Sequence, residues 1–161
     1  MNIFDYVMQM EKDGETFYRE LAEKTQESGL KRIFTLMAED EVVHYNAFKT
    51  LKDDTSTEIA ETAVLTNAKN IFAKMKEKVD AFDLDVSAVE LYKKAIEVEK
   101  SSAAYYREKA EELEKPEAKE IFLKIARDED KHQHLLENMV IFLSRPAQWI
   151  EDAEFNHLED Y

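Results

Sequence analysis

Residues 40–44 read DEVVH, and residues 128–132 read DEDKH. Each stretch places a Glu three residues before a His, and residues three apart lie on the same face of an α-helix. Each stretch also lies in the middle of a long run in which apolar residues recur at helical spacing. We therefore predict two long helices that each carry a carboxylate and an imidazole at the centre of the apolar face.

The two stretches belong to a longer internal repeat with a constant offset of 88 residues. Beyond the two motifs, the identities found without a gap include Glu11 with Glu99, Tyr18-Arg19-Glu20 with Tyr106-Arg107-Glu108, and Ile33-Phe34 with Ile121-Phe122. A constant offset that spans two predicted helices indicates a duplicated helix pair. We expect the two copies to pack about an approximate two-fold axis.

Four long helices are predicted from the apolar spacing, over residues 2–27, 30–52, 88–114 and 116–144. Ser28-Gly29 is expected to end the first helix, because a Gly commonly follows a helix C-terminus. Pro116 suits the first turn of the fourth helix. A shorter helix over about 67–82 is predicted within the long connection between the second and third helices, and Ser87 is expected to cap the third.

The composition favours an all-α fold, because the 161 residues include only two Gly and two Pro, which β-rich folds use in their many turns. The order of the predicted helices, with tight links within each pair, indicates a four-helix bundle with one long crossover. We expect a single bundle domain over residues 1–146, followed by a tail over residues 147–161 that is rich in aromatic and acidic side chains.

The formal net charge of −14 opposes binding to nucleic acids and to anionic membranes, and it attracts cations. The chain has no Cys, which excludes disulfides, iron–sulfur clusters and thiol nucleophiles. The N-terminal residues lack the basic start and apolar run of a signal peptide, and no segment approaches the length of a membrane span. We therefore expect a cytoplasmic protein without nucleic-acid or membrane partners.

One Glu lies in the middle of the apolar stripe of each long helix, and two helices add a His: the set is Glu11, Glu41, His44, Glu99, Glu129 and His132. If the four helices face one another, these side chains converge. Buried carboxylates cost several kcal/mol and repel one another unless cations neutralise them. Four Glu and two Glu-x-x-His motifs form the ligand set of di-iron and di-manganese carboxylate bundles, so we predict a two-metal site.

Other acidic and His side chains fit this site less well. Glu154 and His157 have the same spacing but lie in the tail, outside any apolar stripe, so we do not expect them to bind metal. Glu15 lies one turn from Glu11, but its repeat partner is Ala103, which favours a solvated or supporting role. His134 is expected at the surface.

Two further pairs admit two interpretations. Tyr18 and Tyr106 lie two turns after Glu11 and Glu99, either as core aromatics or as hydrogen-bond donors to a ligand carboxylate. Asp40 and Asp128 directly precede the Glu of each motif. Each Asp either is solvated or accepts the ring N–H of a ligand His, as carboxylates beside metal sites often do.

The combination of Glu11-x6-Tyr18, Glu41-x-x-His44, Glu99-x6-Tyr106 and Glu129-x-x-His132 resembles the rubrerythrin branch of the ferritin-like superfamily, over about residues 2–144. The resemblance implies a ferritin-like bundle with a non-haem di-iron centre. It also implies redox chemistry with hydrogen peroxide or dioxygen, or the handling of iron.

Two features depart from the family pattern. Rubrerythrins carry a rubredoxin domain whose iron is held by four Cys, whereas this chain has no Cys, so the resemblance implies a separate electron-donor protein. Rubrerythrins also carry an additional Glu, linked to peroxidase chemistry, one turn after the ligand on the third helix. The matching residue here is Ser102.

Three functions remain open at this point. The first is a di-iron oxidoreductase involved in oxidative stress, with two iron ions per chain, Glu11 and Glu99 as terminal ligands and Glu41 and Glu129 as bridges. The second is an iron-storage protein that oxidises iron as it loads, which would be a homo-oligomer. The third is a helical module without catalytic activity. Manganese shares the ligand set, so a di-manganese centre is an alternative.

Overall fold

A computed structural model describes residues 2–53 and 89–144, with the side chains of residues 2–141 within those ranges. Four helices occupy the described residues: α1 (Ile3–Lys24), α2 (Ser28–Lys52), α3 (Val89–Glu112) and α4 (Pro116–Ser144). Their positions agree with the four predicted helices, and the described ranges contain no β-strand. The predicted all-α class is confirmed.

Helices α1 and α2 form a helical hairpin within the first of two compact units. Their link, residues 25–27, is short enough that the two helices run antiparallel. Asn2 begins α1 as an N-cap, since its Oδ1 accepts a hydrogen bond from the backbone N–H of Asp5 at 2.9 Å. The carboxylate of Asp5 pairs with Lys52 at the end of α2, which joins the two helices at the open end of the hairpin.

The link between α1 and α2 corrects one prediction, because Ser28-Gly29 begins α2 instead of ending α1. Helix α1 ends earlier, at Lys24, where the N–H and hydroxyl of Thr25 both donate to the carbonyl of Leu21, at 3.0 and 2.6 Å. Glu27 then caps α2, since its Oε2 accepts from the N–H of Leu30 at 2.8 Å. This cap satisfies an N-terminal donor and draws Gly29 into the first turn.

Helices α3 and α4 form the corresponding hairpin in the second unit. Their link is residues 113–115, and α4 begins at Pro116 as predicted. The guanidinium of Arg107 on α3 pairs with Asp130 on α4. Beneath the surface, the rings of Tyr106 and Phe122 meet edge to face with their centroids 6.2 Å apart, which fixes the two helices against each other.

The apolar stripes of all four helices are buried, and removal of this surface from water supplies the main stabilisation of the fold. The repeat is visible in the core: Phe34 and its partner Phe122 are both fully buried, as are Ala38 and its partner Ala126. The ligand candidates lie on the same stripes. The packing that stabilises each hairpin therefore also positions its polar side chains.

Several predictions fall outside the described residues. They are the short helix over 67–82, the cap at Ser87, the tail over 147–161 with Glu154 and His157, and the domain boundary at residue 146. These stay predictions. Among the helices that the structure describes, none has a stretch long and apolar enough to cross a lipid bilayer.

Candidate metal centre

The first hairpin brings together Glu11 from α1 and Glu41 and His44 from α2. Each side chain offers one ligand atom, and these atoms lie within 4.8 Å of one another. All three side chains are buried, with no more than 3 % of any residue exposed. The hairpin therefore carries a compact group of two carboxylates and one imidazole within its core.

The spacing of two of these ligand atoms fits coordination of a common ion. The Nδ1 atom of His44 lies 3.3 Å from Oε2 of Glu11. Ligand atoms at roughly 2.0–2.2 Å from one metal ion, at angles of about 90–110°, lie about 3.0–3.5 Å apart. A metal ion at this position would take Nδ1 of His44 as its nitrogen ligand.

The second hairpin repeats the arrangement with Glu99 from α3 and Glu129 and His132 from α4. Their ligand atoms also lie within 4.8 Å of one another, and all three residues are buried. The Nδ1 atom of His132 lies 3.6 Å from Oε1 of Glu99. Each copy of the duplicated hairpin therefore holds the same three donors in nearly the same relation.

The chemistry of the donors fits a divalent metal ion. Carboxylate oxygens and imidazole nitrogens suit Fe²⁺ and Mn²⁺, and no thiolate is available to favour a softer ion. Carboxylates buried to this degree cost several kcal/mol when no cation neutralises them. A bound metal offsets that cost, so the residues present fit a metal site of the carboxylate type. This donor set is compatible with iron and with manganese alike.

Gly14 on α1 takes part in the site, although sequence reasoning gave it no role. A Cβ atom added at Gly14 would lie 2.5 Å from Oε2 of Glu41. Helix α1 therefore approaches the carboxylate of Glu41 more closely than a residue with a side chain would permit. The sequence did contain one signal. The chain has only two Gly, and Gly14 lies at the centre of a predicted helix, three residues after Glu11.

Glu15 is partly buried and is paired with two cations of α1. Its Oε1 accepts from Lys12 at 3.0 Å, and its Oε2 accepts from Arg19 at 2.8 Å. The hydrogen bond from Arg19, followed by that from Lys12, lowers the pKa of Glu15 below its ordinary value. Both carboxylate oxygens are thus engaged by cations of the same helix, and Glu15 does not join the ligand group.

The remaining candidates separate by burial. His134 is exposed, with its Nδ1 3.8 Å from the carboxylate of Glu137, as expected for a surface residue. Tyr18 and Tyr106 are buried, and so are Asp40 and Asp128. A purely solvated role for the two Asp is therefore wrong. Whether the Tyr hydroxyls and the two Asp support ligand side chains stays a prediction.

Comparison with known proteins supplies independent evidence. The model of the rubrerythrin family matches residues 2–140, which include the described helices α1, α2 and α3 and most of α4. Comparisons with curated proteins and with solved structures give no significant match. The family match covers most of the chain, and it agrees with the all-α structure and with the predicted ferritin-like fold. By its sequence, its helices and its buried Glu and His groups, the chain belongs to the rubrerythrin family.

Proposed function

We propose that the two Glu-Glu-His groups together hold two iron ions, and that the protein is an oxidoreductase that reduces hydrogen peroxide or dioxygen. The observation that carries the proposal is the presence of a buried group of two carboxylates and one imidazole in each hairpin. A single such group serves one ion. Its duplication within one chain supports a centre with two ions.

The charges of the proposed ligands balance those of the metal. Glu11, Glu41, Glu99 and Glu129 contribute four negative charges, which two ferrous ions neutralise. The assigned roles are Glu11 and Glu99 as terminal ligands and Glu41 and Glu129 as bridges, with one His on each ion. The burial of all six residues excludes bulk water, which strengthens the electrostatic hold of the carboxylates on a cation.

The electrons for the reaction have two sources under this proposal. Reduction of one hydrogen peroxide molecule to two water molecules consumes two electrons and two protons, and a ferrous pair held by the two Glu-Glu-His groups would supply the two electrons. Re-reduction requires a second protein. Residues 1–161 include no Cys to hold a rubredoxin-type iron, which supports an electron donor separate from this bundle.

The binding experiment compares the wild-type protein with the Glu41→Ala/Glu129→Ala double variant, after anaerobic loading with Fe²⁺ and removal of loosely bound metal. We expect about two iron ions per chain in the wild type and a loss of tightly bound iron in the double variant. Glu154→Ala is the matched control, because it removes a Glu from a Glu-x-x-His pair in the tail. Equal iron content in all three proteins would overturn the ligand assignment.

The reaction is tested by stopped-flow spectroscopy of the ferrous protein mixed with hydrogen peroxide or with dioxygen. Oxidation must be faster than that of free Fe²⁺ at the same concentration, and the faster of the two oxidants is the assigned substrate. Oxidation at the rate of free iron with both oxidants would exclude an oxidoreductase function and leave metal binding intact.

Iron storage is the second candidate, favoured by the net charge of −14, which concentrates cations near the protein. Storage requires a closed shell of many subunits. Analytical ultracentrifugation of the iron-loaded protein distinguishes the two functions, since a monomer or dimer excludes storage and a large closed assembly supports it.

A further inference from the structure

Gly14 is an unfavourable residue for its position in α1. It lies in the middle of a 22-residue helix, where Gly costs about 1 kcal/mol relative to Ala because of the backbone freedom that it loses on folding. It also lies on the face that carries Glu11 three residues before it and Tyr18 four residues after it, and both of these side chains are buried. A helix-forming residue here would stabilise α1, so the absence of a side chain calls for a reason.

The carboxylate of Glu41 supplies that reason. A Cβ atom at position 14 would lie 2.5 Å from Oε2, 3.2 Å from Cδ and 3.5 Å from Cγ of Glu41. Carbon and oxygen atoms in ordinary contact lie about 3.5–4.0 Å apart, so the first distance is a steric clash. The end of the Glu41 side chain thus occupies the space that a side chain at position 14 would fill.

We propose that Gly14 is a positioning residue for Glu41, which keeps open the space in which this carboxylate meets Glu11 and His44. The inference rests on the proposed function, in which Glu41 is a metal ligand. The clashing atom is an oxygen at the far end of the flexible Glu41 side chain, which can move at less cost than the backbone. A methyl group at position 14 therefore displaces the carboxylate and leaves the helix pair intact.

The second hairpin provides an internal comparison. The repeat partner of Gly14 is Ser102 on α3, which is partly buried and already has a Cβ atom. The two copies of the hairpin thus differ at this repeat position, and the requirement for Gly applies to the first copy. Ser102→Ala removes only a hydroxyl group and serves as the matched control for Gly14→Ala.

The experiment measures metal affinity and metal-free stability for the wild type, Gly14→Ala and Ser102→Ala. Anaerobic titration with Fe²⁺, and with Mn²⁺ as a probe that does not oxidise, gives the affinity. We expect Gly14→Ala to lose affinity on the order of 10- to 100-fold, the range found when residues that orient metal ligands are changed. We expect Ser102→Ala to bind nearly as the wild type does.

Metal-free stability separates positioning from packing. Urea unfolding of the chelator-treated proteins should show Gly14→Ala at least as stable as the wild type, because Ala favours the helix. A Gly14→Ala protein that is destabilised without metal would overturn the proposal in favour of a packing role. So would one that binds metal with wild-type affinity.

A crystal structure of metal-free Gly14→Ala provides a readout that does not depend on metal binding. The carboxylate of Glu41 should be displaced from its wild-type position while α1 and α2 superimpose. An unmoved carboxylate would overturn the inference. If the wild type itself binds no metal, the proposed function fails, and this structure still decides whether Gly14 positions Glu41.

Discussion

Replacement of Glu129 by Gln should stabilise the metal-free protein and reduce the further stabilisation that added metal provides. Glu129 is 2 % exposed and lies within 4.8 Å of Glu99 and His132. Gln has nearly the same shape but no charge. In the absence of metal the substitution removes a buried charge and its repulsion from the neighbouring carboxylate, so the free energy of unfolding should rise.

The size of this effect has an upper bound. A buried carboxylate can bind a proton instead of staying charged, so at pH 7 its burial costs no more than protonation of an ordinary Glu side chain. That costs about 1.36 kcal/mol for each of the roughly 2.7 pH units between a pKa of about 4.3 and pH 7, or about 3.7 kcal/mol. The buried amide of the Gln side chain in the variant still carries part of the desolvation cost. We therefore expect the free energy of unfolding of Glu129→Gln to exceed that of the wild type by about 1–3 kcal/mol. For a chain of this length the gain corresponds to a rise in Tm of roughly 2–12 °C.

The assay is thermal unfolding followed by circular dichroism at pH 7, with chelator and then with excess Fe²⁺ under anaerobic conditions. A metal ion that binds only the folded state stabilises that state by about 2.7 kcal/mol when the free metal concentration is 100 times Kd. The wild type should be stabilised by about this amount when metal is added, and Glu129→Gln should be stabilised by less. The stability advantage of Glu129→Gln over the wild type should therefore shrink on addition of metal.

The control is Glu120→Gln, on the same helix at an exposed position. Both substitutions change the net charge from −14 to −13, so the difference between them isolates the effect of burial. Glu120→Gln should leave Tm nearly unchanged in both conditions. If Glu129→Gln lowers the metal-free Tm while Glu120→Gln does not, the carboxylate of Glu129 stabilises the metal-free fold and the reasoning is refuted.

Three further predictions follow from the described contacts. Phe122→Ala removes a fully buried ring that packs against Tyr106 and should cost about 3–5 kcal/mol in urea unfolding; a loss below about 1 kcal/mol would contradict the packing. Glu15→Gln should lower stability most at neutral pH and progressively less as the pH falls below 4.5, because the lowered pKa of Glu15 beside Arg19 stabilises the fold above its ordinary value and this contribution is lost as the pH falls through the lowered pKa; a pH-independent difference would contradict it. Arg107→Ala breaks an exposed ion pair and should cost less than about 1 kcal/mol, with little further loss in high salt, as measured by urea unfolding at two ionic strengths.

The helices and the ligand candidates were predictable because two independent signals agreed. Apolar spacing placed the helix faces, and the 88-residue repeat identified which polar residues on those faces recur. A single Glu-x-x-His pair in such an acidic chain would have carried little weight. The repeat of Glu41 and His44 as Glu129 and His132 made the pattern specific, and the structure places each pair with the Glu of its neighbouring helix.

Two features were missed from the sequence. One depends on competing signals for the start and the end of a helix, and the other depends on a contact between two helices. A Gly that follows a helical run favours a helix end, but Glu27 caps the next helix and Thr25 closes the previous one, so Gly29 begins α2. The role of Gly14 was hidden for another reason: the clash that it avoids is with Glu41, 27 positions away on a different helix. The sequence of α1 alone gives no information about that contact.

The three-residue links of the two hairpins also bear on how quickly the site assembles. The contact between Glu11 and His44 spans 33 positions, and that between Glu99 and His132 spans the same number. Each of these contacts forms within one helix pair, so it requires only the residues of that pair to be synthesised. During synthesis the donors of α1 and α2 can therefore be in place before α4 leaves the ribosome, since chain elongation proceeds at about 5–20 residues per second. The Glu and His side chains of the first hairpin can thus meet while the second hairpin is still incomplete.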